Sequence, residues 1–124
     1  MKVVERQKLN VFEMKCLRSM AGVSRIDRVR NEDVRQRTGV EIELARRVDM
    51  NVLRWFGHVE RMENACLLKR VIDASVNGRG ARGRPSFGWM DGVKRALGER
   101  GMDVGEARER TRDRNDWRAI VRNA

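Results

Sequence analysis

The sequence of 124 residues is poor in several residue types, and each shortage excludes a class of protein. It has no tyrosine and few alternating apolar–polar runs, which disfavours a sheet-rich fold. No apolar run approaches the roughly 18 residues of a transmembrane helix, and the N-terminal residues lack the apolar core of a secretory signal. We therefore expect an intracellular protein without a membrane partner.

Soft metal ligands are also scarce, because the chain has two cysteines and one histidine. Cys16, His58 and Cys66 lack the paired close spacing of a structural zinc site. Two cysteines in a chain without a secretory signal predict reduced thiols. We expect no metal and no cofactor, with the thiols buried and His58 packed within a helix bundle.

Residues for catalysis are missing as well. No acidic residue lies three or four positions from His58, and proton transfer usually needs a histidine or paired acids held in a pocket. The chain has no Asp-Asp pair, no His-rich metal motif and no phosphate-binding glycine loop. The sequence therefore predicts a protein that is not an enzyme and has no small-molecule substrate.

Positive charge is the most abundant feature. Lysine and arginine number 28 against 18 acidic residues, the net charge is +10, and only five of the cations are lysine. Arginine forms planar two-point contacts with phosphate groups. Because ten positive charges remain after complete pairing, DNA, RNA or another polyanion is the expected partner.

Helical spacing of apolar residues runs along most of the N-terminal half. A first helix over about residues 3–20 is predicted from an apolar face at Leu9, Phe12, Cys16, Leu17 and Met20. A short second helix follows. Asn31 is its predicted N-cap, acidic residues occupy its first turn, and Gly39 ends it.

A longer third helix is predicted over about residues 41–62. Its apolar stripe, widened by Phe56, comprises Leu44, Val48, Val52, Trp55, Val59 and Met62. Two interpretations stay open, namely the core of a small bundle or a surface that docks on another protein. Residues 66–76 form a further short apolar element whose type, helix or strand, periodicity does not decide.

The most unusual segment is residues 79–85, which hold three arginines, two glycines and the single proline. Glycine penalises regular structure, so the segment reads as part of a linker. We predict an N-terminal helical part at 1–76, a basic linker at 77–86 and a C-terminal helical part at 87–124, as one domain or two small subdomains. Arg79, Arg82 and Arg84 are candidates for binding a DNA minor groove or an RNA backbone.

The C-terminal part carries two further helix patterns. One helix begins near Phe87 and ends near Gly98, and a last helix is capped by Asp113. Between them, residues 108–112 have no apolar stripe and are predicted to be a solvated face or a hinge. The predicted fold class is therefore all-α, a small multi-helix bundle interrupted by a basic Gly/Arg linker.

Five strings along the chain together carry a family resemblance. They are LNVFEMKCLR at 9–18, DRVRNEDV at 27–34, LRWFGHVERM at 53–62, GRP at 83–85 with a tryptophan at 89, and DRNDWR at 113–118. In this order and spacing they resemble the C-terminal tail of endonuclease–reverse transcriptase polyproteins of non-LTR retrotransposons. The resemblance runs from about residue 5 to about residue 121 and concerns the region after the polymerase.

The resemblance implies a non-catalytic fragment of such a polyprotein, because the family's aromatic-x-Asp-Asp polymerase motif and the acid- and histidine-rich endonuclease are both absent. Together with the charge, it implies binding to a DNA or RNA backbone through arginines. The candidate residues are Arg79, Arg82, Arg84, Arg54 and Arg61. The alternatives are a module that docks on a reverse transcriptase body, or a decayed copy without an independent function.

Overall fold

A computed structural model of the chain describes residues 3–74, 83 and 88–123. Within these residues the chain forms helices and no strand, which confirms the all-α prediction. Within the element at 66–76, whose type was open, residues Leu67–Asp73 form a helix. The helices are α1 (Val3–Met20), α2 (Asn31–Thr38), α3 (Leu44–Glu60), α4 (Leu67–Asp73), α5 (Trp89–Gly98), α6 (Val104–Arg110) and α7 (Arg114–Arg122). None of these described helices is long and apolar enough to cross a membrane.

The chain divides into two compact units, unit 1 at Met1–Val48 and unit 2 at Asp49–Ala124. The boundary falls inside α3. The predicted linker at 77–86 lies, apart from Gly83, outside the described residues. Helix α4 before this segment and helices α5 to α7 after it belong to the same unit. The three-part division at the linker stays a prediction.

The apolar face predicted for α1 is largely wrong. Leu17 is buried, but Phe12 is 60% exposed and Met20 is 74% exposed. Glu13 contacts α2 and Leu17, four residues on, is buried, so the packed side of α1 carries these two residues and leaves Phe12 and Met20 exposed. In addition, α1 has 18 residues and α2 has 8, so at 1.5 Å per residue α2 covers less than half of the length of α1.

Glu13 connects three elements of unit 1. Its Oε2 lies 2.7 Å from Arg35 Nη2 on α2, and its Oε1 accepts a hydrogen bond of 3.0 Å from the backbone N–H of Leu44. Burial raises the pKa of the Glu13 carboxyl. The hydrogen bonds from Arg35 and Leu44, with the positive charges of Arg35 and Arg47, outweigh burial and lower that pKa overall. The ionised carboxylate thus holds α2 and the start of α3 against α1.

Helix α2 ends as predicted but begins differently. Gly39 adopts the left-handed conformation with φ of 69°, and its N–H bonds back to the last turn. The N-cap position belongs to Arg30, whose side chain makes no capping bond, so the prediction of Asn31 as the cap is wrong. The Asn31 side-chain oxygen accepts a hydrogen bond from Arg18 instead.

Phe56 lies at the centre of the core of unit 2. It is fully buried, and its ring centroid lies 6.0 Å from that of Trp117 and 6.3 Å from that of Trp89. Such tilted pairs add stabilisation to the apolar area that they bury. The core therefore joins α3 to α5 and α7. Its other buried apolar residues are Met50, Leu53, Val59, Val93, Ala96, Leu97, Ala107 and Val121.

The buried face of α3 is rotated from the stripe expected from the sequence. Leu53 and Phe56 are fully buried, whereas Trp55, predicted to be in the stripe, is 47% exposed. One residue along a helix turns its side chain by about 100°. Phe56 therefore occupies the side that α5 and α7 cover, and Trp55 is turned away from the packed side.

The segment predicted to be a solvated face or hinge is helical at its start. Helix α6 extends through Arg110, and its N-cap Asp103 accepts a hydrogen bond from the N–H of Glu106. Thr111, which follows α6, is buried, and its hydroxyl donates to the Arg108 carbonyl. The predicted cap of the last helix is confirmed, because Asp113 accepts from the N–H groups of residues 115 and 116.

Candidate nucleic-acid interface

A basic cleft of about 660 Å³ lies between α3 and α7 of unit 2. We call it the arginine cleft. Five arginines and the histidine make up its charged and titratable lining. Its lining residues are Arg54, His58, Arg61, Arg114, Asn115, Trp117, Arg118, Ala119, Val121 and Arg122. A concave surface of this charge is a candidate site for an anionic ligand.

Gly57 allows the two helices to approach closely enough to form the cleft. A Cβ atom built on Gly57 would overlap the Trp117 indole, which therefore packs directly on the α3 backbone. The indole Nε1 donates a hydrogen bond of 2.9 Å to the buried carbonyl of Leu53. The floor of the cleft is thus held by one glycine and one tryptophan, both buried.

Helical spacing places the arginines on two facing surfaces. On the α3 side, residues 54, 58 and 61 are four and three positions apart and share one face. On α7, Arg114, Arg118 and Arg122 are each four positions apart and form a single row. All three α7 side chains are exposed, and their guanidinium groups are accessible to a ligand.

The cleft has no negative charge in its lining. None of its described lining residues is Asp or Glu. Within the described part of the chain, no ion pair involves Arg114, Arg118 or Arg122. Partial burial lowers the pKa of Arg61, and the positive charges of Arg114 and Arg118 lower it further. Like charges thus face each other across the cleft, and an anion would relieve their repulsion.

Neutral acceptors orient the two arginines on the α3 side. Arg61 Nη1 donates a hydrogen bond of 2.9 Å to the carbonyl of the buried Thr111. Arg54 Nη1 donates one of 3.1 Å to the side-chain oxygen of Asn51, one turn earlier. These bonds use a single nitrogen of each guanidinium and leave its positive charge uncompensated.

Two of the five residues predicted to bind nucleic acid meet in this cleft, namely Arg54 and Arg61. The other three, Arg79, Arg82 and Arg84, lie outside the described residues. Sequence reasoning missed the row on α7. Its signal was present, since the Asp113 cap starts a helix in which arginine recurs every fourth position.

His58 and Cys16 differ from their predicted packing. His58 is exposed and lines the arginine cleft, with its ring centroid 5.2 Å from that of Trp55. Cys16 is a free, exposed thiol, and Cys66 is a free, half-buried one. No group of three or more His, Cys, Asp or Glu side chains suited to a metal ion occurs in the described residues.

Several other basic residues of unit 2 are held by acids or carbonyls. The buried Lys69 lies 2.6 Å from Glu60 and 3.5 Å from Asp73, and Arg108 contacts the same two carboxylates. Arg100 donates to the carbonyls of residues 96, 120 and 121 and so ties α5 to the end of α7. These cations serve the fold.

A second cavity, of about 780 Å³, lies in unit 1 beside α1. Its lining includes the apolar side chains of Val11, Met14 and Val23. Arg18, which also lines it, donates to the Val29 carbonyl and to Asn31 across the cavity wall. Its other cations are Lys15, Arg25 and Arg28, and none of its described lining residues is acidic. The cavity is therefore basic as well, but it holds three arginines, one of them committed to the loop after α1, against five in the arginine cleft.

Comparisons with known proteins do not assign this chain to a family. No protein-family model matches the sequence, and neither the curated proteins nor the solved structures contain a match.

Proposed function

We propose that the protein binds nucleic acid through the arginine cleft, with arginine side chains contacting backbone phosphates. The observation that carries this proposal is the lining of the cleft, where five arginines converge and none of the described lining residues is acidic. Guanidinium groups form two parallel hydrogen bonds with phosphate oxygens, and a repeating polyanion satisfies several of them at once.

The spacing of the cations favours a polymer over a single small anion. Arg114 and Arg122 are eight residues apart on α7, a distance of roughly 12 Å along the helix axis. One phosphate cannot contact both ends of such a row. Successive phosphates of one strand, or of a duplex edge, can do so, and each contact releases a counterion.

The sequence resemblance supports the same partner. A tail of a retrotransposon polyprotein is made beside an enzyme that handles RNA and DNA, and the net charge of +10 suits either polymer. Docking on a polymerase body through the α3 stripe is less supported, because Phe56 and Val59 are fully buried in unit 2. We propose a non-catalytic nucleic-acid-binding role for the fragment.

Fluorescence anisotropy with labelled DNA and RNA oligonucleotides, repeated over a salt series, tests the proposal. We expect the logarithm of affinity to fall linearly with the logarithm of salt concentration, with a slope of about −0.7 to −0.9 per phosphate contact. The double substitution Arg114→Gln/Arg118→Gln removes two exposed cations from the cleft. It should weaken binding about tenfold or more and reduce the slope by about 1 per lost contact.

The matched control is Arg70→Gln/Arg112→Gln. Both residues are exposed arginines of the same unit and do not line the cleft. This control changes net charge equally, so it separates the cleft from general electrostatic attraction. Equal losses in the two double variants, or binding that does not respond to salt, would overturn the proposal.

The arginines of the basic segment need a separate measurement. Replacing Arg79, Arg82 and Arg84 by alanine tests whether this segment adds phosphate contacts to those of the cleft. If it does, the salt slope falls by about 1 per arginine, and the loss adds to that of the cleft variant.

A further inference from the structure

Trp55 is exposed in the middle of α3, although the next residue, Phe56, lies in the core of unit 2. The indole is 47% exposed, whereas Phe56 beside it is fully buried and the other two tryptophans are buried or half-buried. Tryptophan is highly buried on average, because its large apolar surface is unfavourable in water. The packing of unit 2 leaves this side chain without a role in its core.

The exposed indole is continuous with the arginine cleft. Trp55 follows Arg54 in the chain, and its ring centroid lies 5.2 Å from that of His58, with 39° between the ring planes. His58 and Arg54 both line the cleft. One helix face therefore presents two guanidinium groups, an imidazole and, at its edge, an indole.

We infer that the cleft binds single-stranded nucleic acid, with an unpaired base stacked on Trp55 while arginines contact the adjacent phosphates; this inference rests on the proposed function. A single strand offers both chemistries side by side, because its bases are free of a complementary strand. A duplex buries the faces of its bases within its own stack. A binder of duplex backbone alone would gain nothing from an exposed indole.

The arrangement also favours a base over a protein partner for Trp55. Aromatic rings interleaved with arginines form the stacking platforms of single-strand binding proteins, and the guanidinium plane of Arg54 can itself stack on a base. A protein that docked on this face would have to supply carboxylates for the cations of the cleft. If a protein were the partner instead, none of the nucleic-acid probes of the following experiment should bind.

The experiment measures binding of the full chain to three kinds of probe. They are a single strand (oligo-dT and its RNA counterpart oligo-U), a DNA duplex of the same length, and inorganic polyphosphate. We expect oligo-dT or oligo-U to bind more tightly than the duplex. Trp55→Leu should weaken the single-strand complex by about 5- to 100-fold, while binding to duplex and polyphosphate stays unchanged. Trp55→Phe retains an aromatic ring and should recover most of the loss.

Intrinsic fluorescence adds a direct readout. Stacking should quench the emission of the wild-type protein with oligo-dT but not with polyphosphate, and Trp55→Leu should remove that quenching. Because Trp89 and Trp117 remain in the variant, their emission also reports whether unit 2 is folded.

The outcomes separate the two proposals. If none of the three probes binds with a salt-dependent affinity, the proposed function fails. If all bind but Trp55→Leu leaves the single-strand affinity unchanged, or if the duplex binds more tightly, the inference of single-strand stacking fails alone. In that case the arginine cleft is a backbone-binding site, and Trp55 serves another contact.

Discussion

The charges around Glu60 and those of the arginine cleft lie in the same unit and are adjacent in the sequence at residues 60 and 61. The carboxylate of Glu60 is buried between Lys69 and Arg108, and every cation there has an acidic partner. Arg61 instead faces Arg114 and Arg118. The difference lies in which helix each side chain meets, since α4 and α6 supply charged partners and α7 supplies only more arginine to the cleft.

This contrast shows that the high arginine content of the chain serves two purposes. Where carboxylates or carbonyls are within reach, arginine and lysine join helices, as Arg35 does in unit 1 and Arg100 in unit 2. Where no such partner is present, as for Arg114, Arg118 and Arg122 on α7, the same residue type is left for a ligand. Removing a paired cation should therefore destabilise the fold, and removing an exposed cation of α7 should not.

The largest expected effect is that of Lys69→Met. The substitution keeps the apolar stem but leaves Glu60 buried with a weaker partner, and breaking a buried ion pair typically costs about 3–5 kcal/mol. Urea unfolding followed by tryptophan fluorescence measures it, because all three tryptophans lie in unit 2. The exposed neighbour Arg70→Met is the control, with an expected change within about 0.5 kcal/mol. Similar losses in both variants would contradict the structural role of the pair.

Glu13→Gln tests the paired charges of unit 1. Loss of the charged acceptor for Arg35 should cost about 1.5–3 kcal/mol, measured by hydrogen exchange of α2 amides. The folded state lowers the Glu13 pKa, so this stabilisation is present above the ordinary glutamate pKa of 4.5 and is lost as pH falls through the folded value. The difference between wild type and variant should shrink as the pH drops below 4.5. A constant difference down to strongly acidic pH would exclude the ionised carboxylate as its source.

Gly57→Ala tests the contact that shapes the cleft. A methyl group there would overlap the Trp117 indole, and overpacking of this kind costs about 1–3 kcal/mol, offset by about 1 kcal/mol of helix propensity. Unfolding by urea should show a net loss together with weaker oligonucleotide binding. Gly98→Ala is the matched control, because its Cβ would meet open space at the end of α5. If Gly57→Ala were as stable as Gly98→Ala, the close approach of Trp117 to the α3 backbone would not be required.

The smallest expected effect on stability is that of Arg114→Gln/Arg118→Gln. Unlike the preceding substitutions, it should stabilise the protein. Relieving like-charge repulsion on Arg61 should stabilise unit 2 by up to about 0.5 kcal/mol at low salt. Thermal unfolding in low and high salt measures it, and salt should reduce the difference. Polyphosphate should raise the Tm of the wild type more than that of the variant. Destabilisation by this double substitution would erase the contrast between the two kinds of cation.

Local sequence signals predicted the helix ends at Asp113 and Gly39, because these residues have strong conformational preferences of their own. A signal of the same kind failed at Asn31, since Arg30 occupies the cap position. The start of α3 shows the limit. Its first N–H group is satisfied by Glu13, which is 31 residues away, so the sequence near Leu44 carries no signal for it.

The sequence predicted which residue type forms the candidate site, but not which helices bring those arginines together. Arg54 and Arg61 could be identified because they lie off an apolar stripe, and the spacing of arginines on α7 was readable in the same way. That these rows face each other depends on Gly57 and Trp117, whose contact joins residues 60 positions apart. Trp55 was placed in the apolar stripe but is exposed, because periodicity defines a helix face only to within about one residue.

The amino-acid sequence by itself determined the all-α fold class, the positions of most helices and the excess of arginine, since these depend on local preferences and on composition. The tertiary structure decided which arginines are paired and which are free for a ligand, because pairing depends on the elements brought together by packing. It also decided that Phe56 fills the core while Trp55 stays exposed beside the cleft. One residue of rotation on α3 separates a core side chain from a candidate binding surface.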